Sequence, residues 1–284
     1  MIRVDSLDFA YPNAENDTLR DLSFAVDSGE IFGFLGPSGA GKSTTQKILT
    51  GLLDDYRGSV RVFDREVRDW DGTYYDRIGV SAESPNQYPK LTGRENLELF
   101  ASLHRTETRD IEELFSLVGL ADAIDRRVGT YSKGMAMRLN FIRALLHDPE
   151  LVFLDEPTSG IDPGNAKRIK TAIADLRDAG TTVFLTTHDM TVADQLCDRV
   201  AFIVNGRIPL VGEPEALKRE YGSRTVRVEY HDGNRPRTAR FALDGLNGNP
   251  EFRSLLAEND IETLHTEEAT LETVFLEVTG ERLE

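Results

Sequence analysis

Gly36-Pro37-Ser38-Gly39-Ala40-Gly41-Lys42-Ser43 spells the phosphate-binding pattern G-x-x-x-x-G-K-[ST], with Thr44 next in the chain. Each fixed position has a mechanical reason. Glycines let backbone N–H groups curl around a β-phosphate, the lysine reaches the β- and γ-oxygens, and the hydroxyl takes a Mg²⁺ ion. With 23 glycines and seven lysines among 284 residues, composition alone produces this pattern in only about 0.6% of shuffled chains, so chance is set aside. The flanks decide the fold. Glu30-Ile31-Phe32-Gly33-Phe34-Leu35 is a short apolar run that reads as a buried strand, and Ser43 onward, with Thr44, Lys47, Ile48 and Leu49, reads as a helix. Strand, glycine loop and helix in that order bring a helix N-terminus to the phosphates, where its dipole favours anions. Gly36–Thr44 is therefore the candidate binding loop for a nucleoside triphosphate.

Downstream, Leu151-Val152-Phe153-Leu154 runs into Asp155-Glu156. A buried strand ending there places Asp155 beside the phosphate loop, where it can hold Mg²⁺ together with Ser43. Glu156, one residue further on, can orient or deprotonate an attacking water. Strand signals return at Thr182–Thr186 and Val200–Val204, with a helical stretch carrying Ile169, Ile173 and Leu176 before them. Strands separated by helices imply a parallel sheet covered by helices. Upstream, residues 1–30 alternate apolar and polar (Ile2, Val4, Leu7, Phe9; Leu22, Phe24, Val26), which predicts a small antiparallel sheet, and Gly58–Phe63 adds another strand.

Residues 95–147 turn helical: Leu97, Phe100 and Leu103, then Ile111, Leu114, Phe115 and Val118, then Leu139, Ile142, Leu145 and Leu146 recur at three- and four-residue spacing. They read as an insertion between two halves of a nucleotide-binding sheet. After Tyr221-Gly222 the texture changes. Thr225–Tyr230 and Arg237–Leu243 flank His231-Asp232-Gly233-Asn234, a hairpin with Asp-Gly turn chemistry, and a helix at Glu251–Ala257, a strand at Ile261–Leu264 and a helix at Leu271–Val278 complete an appendage.

Charge and composition narrow the function. The net charge of −16 disfavours sequence-independent nucleic-acid binding, because the summed field repels a phosphate backbone. No run of 18 apolar residues occurs and Met1–Asp5 opens no signal peptide, so the chain is not expected to cross a membrane itself. The single cysteine, Cys197, excludes an internal disulfide, fits a reducing interior and reads as a small apolar filler. Seven lysines against 26 arginines, with 25 aspartates and 24 glutamates, resemble the acidic, lysine-poor composition of proteins from salt-loving microbes.

Tyr131-Ser132-Lys133-Gly134-Met135, at the start of the Leu139–Leu146 helix, resembles the signature loop of the ATP-binding-cassette (ABC) family, commonly Leu-Ser-Gly-Gly-Gln. Other elements follow in the family's order over roughly residues 1–220. Tyr11 resembles the aromatic that stacks on adenine, Ser159-Gly160-Ile161-Asp162 the loop that couples two facing sites, and His188 the switch histidine that contacts the γ-phosphate. Ser132 and Gly134 keep the hydroxyl and backbone donors that grip a γ-phosphate presented by another protomer, while Lys133 and Met135 depart from the common form. Ile78–Glu83 aligns with the segment where the family places a glutamine that touches Mg²⁺ or water; here Glu83 stands in its place, with Gln87 four residues later. The closing stretch, residues 269–280, resembles the tail of ATPases from drug exporters, including the daunorubicin-resistance branch.

The resemblance implies an α/β fold: a P-loop NTPase core with an antiparallel β subdomain and an α-helical insertion (about 85–147) over residues 1–222, plus a small C-terminal α+β appendage over 223–284. It implies an ATP-hydrolysing subunit of a transporter, with ATP and Mg²⁺ as cofactors and Lys42, Glu156 and His188 as catalytic residues. Ser43, Asp155 and Glu83 would face the metal, and Asp162 would couple the sites. The partners implied are a separate transmembrane permease and a second ATPase copy, as a homodimer or mixed pair, on the cytoplasmic face of the cell membrane, with no nucleic acid. The alternative is a soluble cassette ATPase acting on ribosomes or DNA. Ribosomal members carry two cassettes and chromosome-structure members long coiled coils, whereas this chain has one phosphate loop and about 90 residues before the signature. A regulatory GTPase would need an Asn-Lys-x-Asp motif, which does not occur.

Overall fold

The alternation in the first thirty residues becomes two antiparallel strands, β1 (Ile2–Phe9) and β2 (Leu19–Val26), in a computed structural model that describes residues 1–12, 14, 16–222, 225–233 and 235–280. Next come β3 (Ile31–Leu35), α1 (Lys42–Leu49), β4 (Arg57–Val62) and the two-residue β5 (Arg65–Glu66). Strands β2-β1-β4-β5, in that order, form an antiparallel sheet. Its alternating residues Ile2, Val4, Leu7 and Phe9 on β1 and Leu22, Phe24 and Val26 on β2 are buried, as a strand with one covered face requires.

The chain continues through β6 (Ile78–Ser81), α2 (Gly93–Ala101), α3 (Ile111–Leu117), α4 (Lys133–Ala144), β7 (Leu151–Asp155), α5 (Pro163–Asp178), β8 (Thr182–Thr187), α6 (Met190–Leu196), β9 (Arg199–Val204) and β10 (Arg207–Gly212). A second sheet runs β10-β9-β3-β8-β7-β6, parallel throughout except for β10 at its edge. Every residue of β3, β7 and β8 is buried, which matches their unbroken apolar runs and a sheet covered on both faces. The two sheets meet through aromatic packing: the Phe24 ring lies 5.7 Å from Phe32, 5.4 Å from Phe34 and 6.2 Å from Phe184, centroid to centroid.

The helical stretch differs from the periodic reading. Helix α2 ends at Ala101, so Leu103 lies beyond it and is 69% exposed, while Leu97 alone of that trio is fully buried. Leu145 and Leu146 lie past the end of α4 and are nonetheless fully buried, because the connection to β7 passes through the core. Thr92 starts α2 with a capping box, its hydroxyl accepting from Glu95 N while Glu95 returns to Thr92 N. Strand β10 carries Pro209 and lies at the sheet edge, where a residue that cannot donate to the ladder is tolerated.

The chain divides into two compact units, one spanning Met1–Gly212 and one that begins at Glu213. The second opens with α7 (Pro214–Tyr221), which the sequence reading placed in the first domain; Leu217 is buried and the helix packs on α9 (Leu271–Thr279). Strands β11 (Thr225–Asp232), β12 (Arg235–Ala242) and β13 (Asp260–Glu267) pair antiparallel in the order β12-β11-β13, with α8 (Pro250–Glu258) between β12 and β13 in the chain. The hairpin expected at Asp232-Gly233 is present with Asp232 opposite Arg235; Asn234 lies outside the described residues. Leu217, Val226, Val228, Leu271, Val274 and Phe275 are buried apolar side chains of this second unit, and Phe241 packs edge-on against Phe252 at 5.3 Å.

Candidate nucleotide-binding site

Strand order brings the chemistry together. Because β8 lies between β3 and β7 and runs parallel to both, the loop after β3, the end of β8 and the end of β7 open side by side at the carboxyl ends of the strands. Ligands of open α/β sheets bind at such carboxyl-end crevices. Two glycines make the loop possible. A Cβ on Gly36 would stand 2.1 Å from Ile203 O, so only hydrogen fits beneath the loop, and Gly41 holds φ 117° as it turns into α1. The loop then delivers its amides and the N-terminus of α1 to the same place.

A cleft of about 290 Å³ is lined by Ser38, Gly39, Gly41, Lys42, Ser43, Thr44, Glu83, Asp155, Glu156 and His188. The Lys42 ammonium donates to Gly36 O at 2.6 Å and to Pro37 O at 3.0 Å. Burial lowers its pKa from the ordinary lysine value, opposed by the charges of Glu156, Asp155 and Glu83. Ser43 Oγ donates to Asp155 Oδ2 at 3.3 Å, so a hydroxyl and a carboxylate converge. Hard oxygen donors of this kind fit Mg²⁺. Tyr11 stands outside the cleft lining, its hydroxyl 3.2 Å from Thr44 Oγ1 and its ring edge-on to Phe9. Ala40 is buried within the loop, its N–H donating to Pro37 O at 3.2 Å.

Two threonines that the sequence reading passed over hold the carboxylates. Thr186 Oγ1 donates to Asp155 Oδ1, and Thr187 Oγ1 donates to Glu156 Oε2 at 3.0 Å. Glu156 Oε1 accepts from His188 N at 2.9 Å and meets His188 Nδ1 at 2.7 Å. Glu156 itself sits at φ 49°, a left-handed conformation that a glutamate adopts only when its surroundings compel it. The signal that could have found the threonines is their place: Thr186-Thr187-His188 ends a buried strand, as Asp155-Glu156 ends its neighbour.

Glu83 lines the cleft and Gln87 does not. Gln87 Nε2 instead donates to Ala136 O on α4 at 2.7 Å, while Asn140 Nδ2 donates to Ala82 O at 2.7 Å and Arg143 donates to Asn86 O at 2.8 Å. These bonds strap the segment to α4 on either side of Glu83. The signature-like residues lie apart from the cleft. Ser132 caps α4, accepting from Met135 N at 3.2 Å, Lys133 and Gly134 open the helix, and Asp162 caps α5. None of Ser132, Lys133, Gly134, Met135 or Asp162 lines the cleft of its own chain.

The chain resembles known proteins in sequence and in fold. The ABC transporter family model matches residues 19–159, and that of the fluoroquinolone efflux ABC transporter C-terminal domain matches residues 224–268. The chain is 56% identical over 284 residues to a fluoroquinolones export ATP-binding protein of Mycobacterium tuberculosis, covering 100% of this chain and 94% of that one. It is 41% identical over 216 residues to the daunorubicin/doxorubicin resistance ATP-binding protein of Streptomyces peucetius, over 74% of this chain and 65% of that one. Among solved structures, the ATP binding subunit of an ABC transporter matches with a TM-score of 0.71 at 28% identity, over 78% of this chain and 93% of the other. A dimeric ATP-binding cassette in a post-hydrolysis state, bound to ADP and Pi, matches with a TM-score of 0.68 at 26% identity, over 75% and 98% of the two chains.

Proposed function

Since the chain belongs to the ABC transporter ATPases, we propose that it is the ATP-hydrolysing subunit of a drug exporter whose membrane subunit is a separate chain, with fluoroquinolone-like molecules as cargo. The full-length similarity to a fluoroquinolones export ATP-binding protein, which extends through the C-terminal unit, carries the cargo reading. No described helix is long and apolar enough to cross a membrane, which supports a peripheral subunit driving a separate permease at the cytoplasmic face.

In this reading, Gly36–Thr44 cradle the phosphates of ATP, Tyr11 stacks on adenine and Lys42 contacts the β- and γ-oxygens. Mg²⁺, held by Ser43 and Asp155 with Glu83 beside them, would neutralise phosphate charge. Glu156 takes the proton of the attacking water, and His188, whose half-exposed ring is bonded to Glu156, contacts the γ-phosphate. Ser132–Gly134 of a second copy would close over the nucleotide, since in its own chain that segment does not line the cleft. Closure on ATP and reopening after hydrolysis then transmit work through the differential affinity of the two states.

Inside-out vesicles from cells that make the chain should accumulate a fluoroquinolone when ATP is added, and vesicles carrying Glu156→Gln should not. Recovery of the tagged chain with ribosomes or DNA, together with ATP-independent accumulation, would favour the soluble alternative. Glu83 offers a finer test. Its carboxylate faces the cleft where a glutamine is common, so Glu83→Gln should raise the Mg²⁺ concentration for half-maximal hydrolysis and for binding of a fluorescent ATP analogue. Affinity at saturating Mg²⁺ should change little. Gln87→Ala, whose side chain is bonded to Ala136, should shift neither curve at high salt, where remote charges are screened. A shift in Gln87→Ala alone would reverse the two roles.

A further inference from the structure

Arg138, on α4 six residues after Ser132, is 7% exposed and has no part in the chemistry above. Its guanidinium reaches three segments. Nε donates to Gly134 O at 3.2 Å, inside the signature turn. Nη1 donates to Val118 O at 2.7 Å and Gly119 O at 3.2 Å past the end of α3, and to Asn165 Oδ1 at 3.0 Å on α5. Asn165 in turn orients Asp162: its N–H donates to Oδ1 at 3.1 Å and its Nδ2 to Oδ2 at 2.7 Å. Both carboxylate oxygens of Asp162 are thus set by the residue that Arg138 grips.

The two turns also touch. A Cβ on Gly134 would stand 3.7 Å from Gly160 O, and one on Gly160 3.4 Å from Lys133 Cε. A buried cation is costly unless its donors are satisfied, and four acceptors surround this one. A planar fork can serve several acceptors in fixed directions, which a lysine ammonium on a flexible stem cannot. Had Arg138 only to brace the helical insertion, its bonds to Val118, Gly119 and Gly134 would suffice. The bond to Asn165 crosses to the helix that follows β7.

We propose that Arg138, acting through Asn165, is a positioning residue that locks Ser132–Gly134 and Ser159–Asp162 into one surface, so that both segments meet the nucleotide of a second ATPase copy in fixed register. This rests on the paired-ATPase reading above. Neither Arg138 nor Asn165 touches the cleft of its own chain, so their effect is exerted on the partner's site.

Mixed pairs of two differently tagged full-length chains test it. With Lys42→Ala in one copy, a single working site remains, built from the intact copy's phosphate loop and the Lys42→Ala copy's signature segment. Asn165→Ala placed on the Lys42→Ala copy should lower hydrolysis about tenfold, the scale of one lost charge-assisted hydrogen bond. Placed on the copy with the intact loop, it should change the rate less than about twofold, and the affinity of either isolated chain for a fluorescent ATP analogue should not differ from that of its parent lacking Asn165→Ala. Arg138→Lys should reproduce the asymmetry. Equal losses in both placements, or none in either, would overturn the proposal while leaving the pair intact. If Glu156→Gln chains with Arg138 and Asn165 unchanged form no pair on adding ATP, the paired-ATPase reading falls first and this proposal with it.

Discussion

Glu156→Gln should hydrolyse ATP about 10²–10⁴-fold more slowly than the unaltered chain while binding MgATP undiminished, because it removes the base and keeps the shape. The surroundings of Glu156 favour a clean result. Its Oε1 accepts from His188 N and faces His188 Nδ1, a role that an amide oxygen fills equally well. Its Oε2 accepts from Thr187 Oγ1, which also accepts from Asp189 N, so the hydroxyl can turn to accept a hydrogen bond from the new amide. Only the bond donated by the Thr187 hydroxyl is given up, and the fold should hold. ATP should then trap a paired species that ordinary turnover would dissolve. Phosphate release measured alongside size exclusion with light scattering checks both halves of the expectation. Turnover at the unaltered rate would remove Glu156 from its role.

Lys42→Ala should fail earlier, at binding. The ammonium makes two bonds to loop carbonyls and lies close to Glu156, Asp155 and Glu83, so its loss leaves three carboxylates facing the incoming phosphates with no cation between them. Two charge-assisted hydrogen bonds to phosphate oxygens correspond to about 3–6 kcal/mol, or roughly 140- to 20,000-fold in Kd. Burial already disfavours the charged lysine, so the folded chain without it should be little less stable. Calorimetric titration with MgATP measures the affinity and a thermal melt the stability. An unchanged Kd would show that the loop amides and the α1 terminus carry the phosphates without the lysine.

Much of the site was legible in the sequence because its chemistry is written in contiguous residues. The turn at Gly36–Ser43 needs glycines at set positions whatever lies elsewhere, and a run such as Leu151–Leu154 ending in two carboxylates describes a buried strand whose end is polar. Hydrophobic runs located β3, β7, β8 and β9, and alternation located β1 and β2. Where the local signal is weak the reading ran out. The four-residue β6 and the proline-containing β10 are strands because neighbours pair with them, and the periodicity of residues 95–147 carries no mark at Ala101, where α2 stops.

What the sequence by itself determined, then, is the phosphate loop, the carboxylates at the end of β7 and the α/β class, since each follows from the backbone and burial demands of a few adjacent residues. Only the tertiary structure decided that β8 runs between β3 and β7, so that Thr186 and Thr187 steady Asp155 and Glu156 and His188 reaches a carboxylate 32 residues away. It alone decided that Glu83 faces the cleft while Gln87 is spent on Ala136, and that Arg138 joins Gly134 to Asn165. Periodicity encodes which face of an element is buried, whereas sheet register and helix packing decide which distant residues share that burial, and the hydrogen bonds of a buried polar group are satisfied only there.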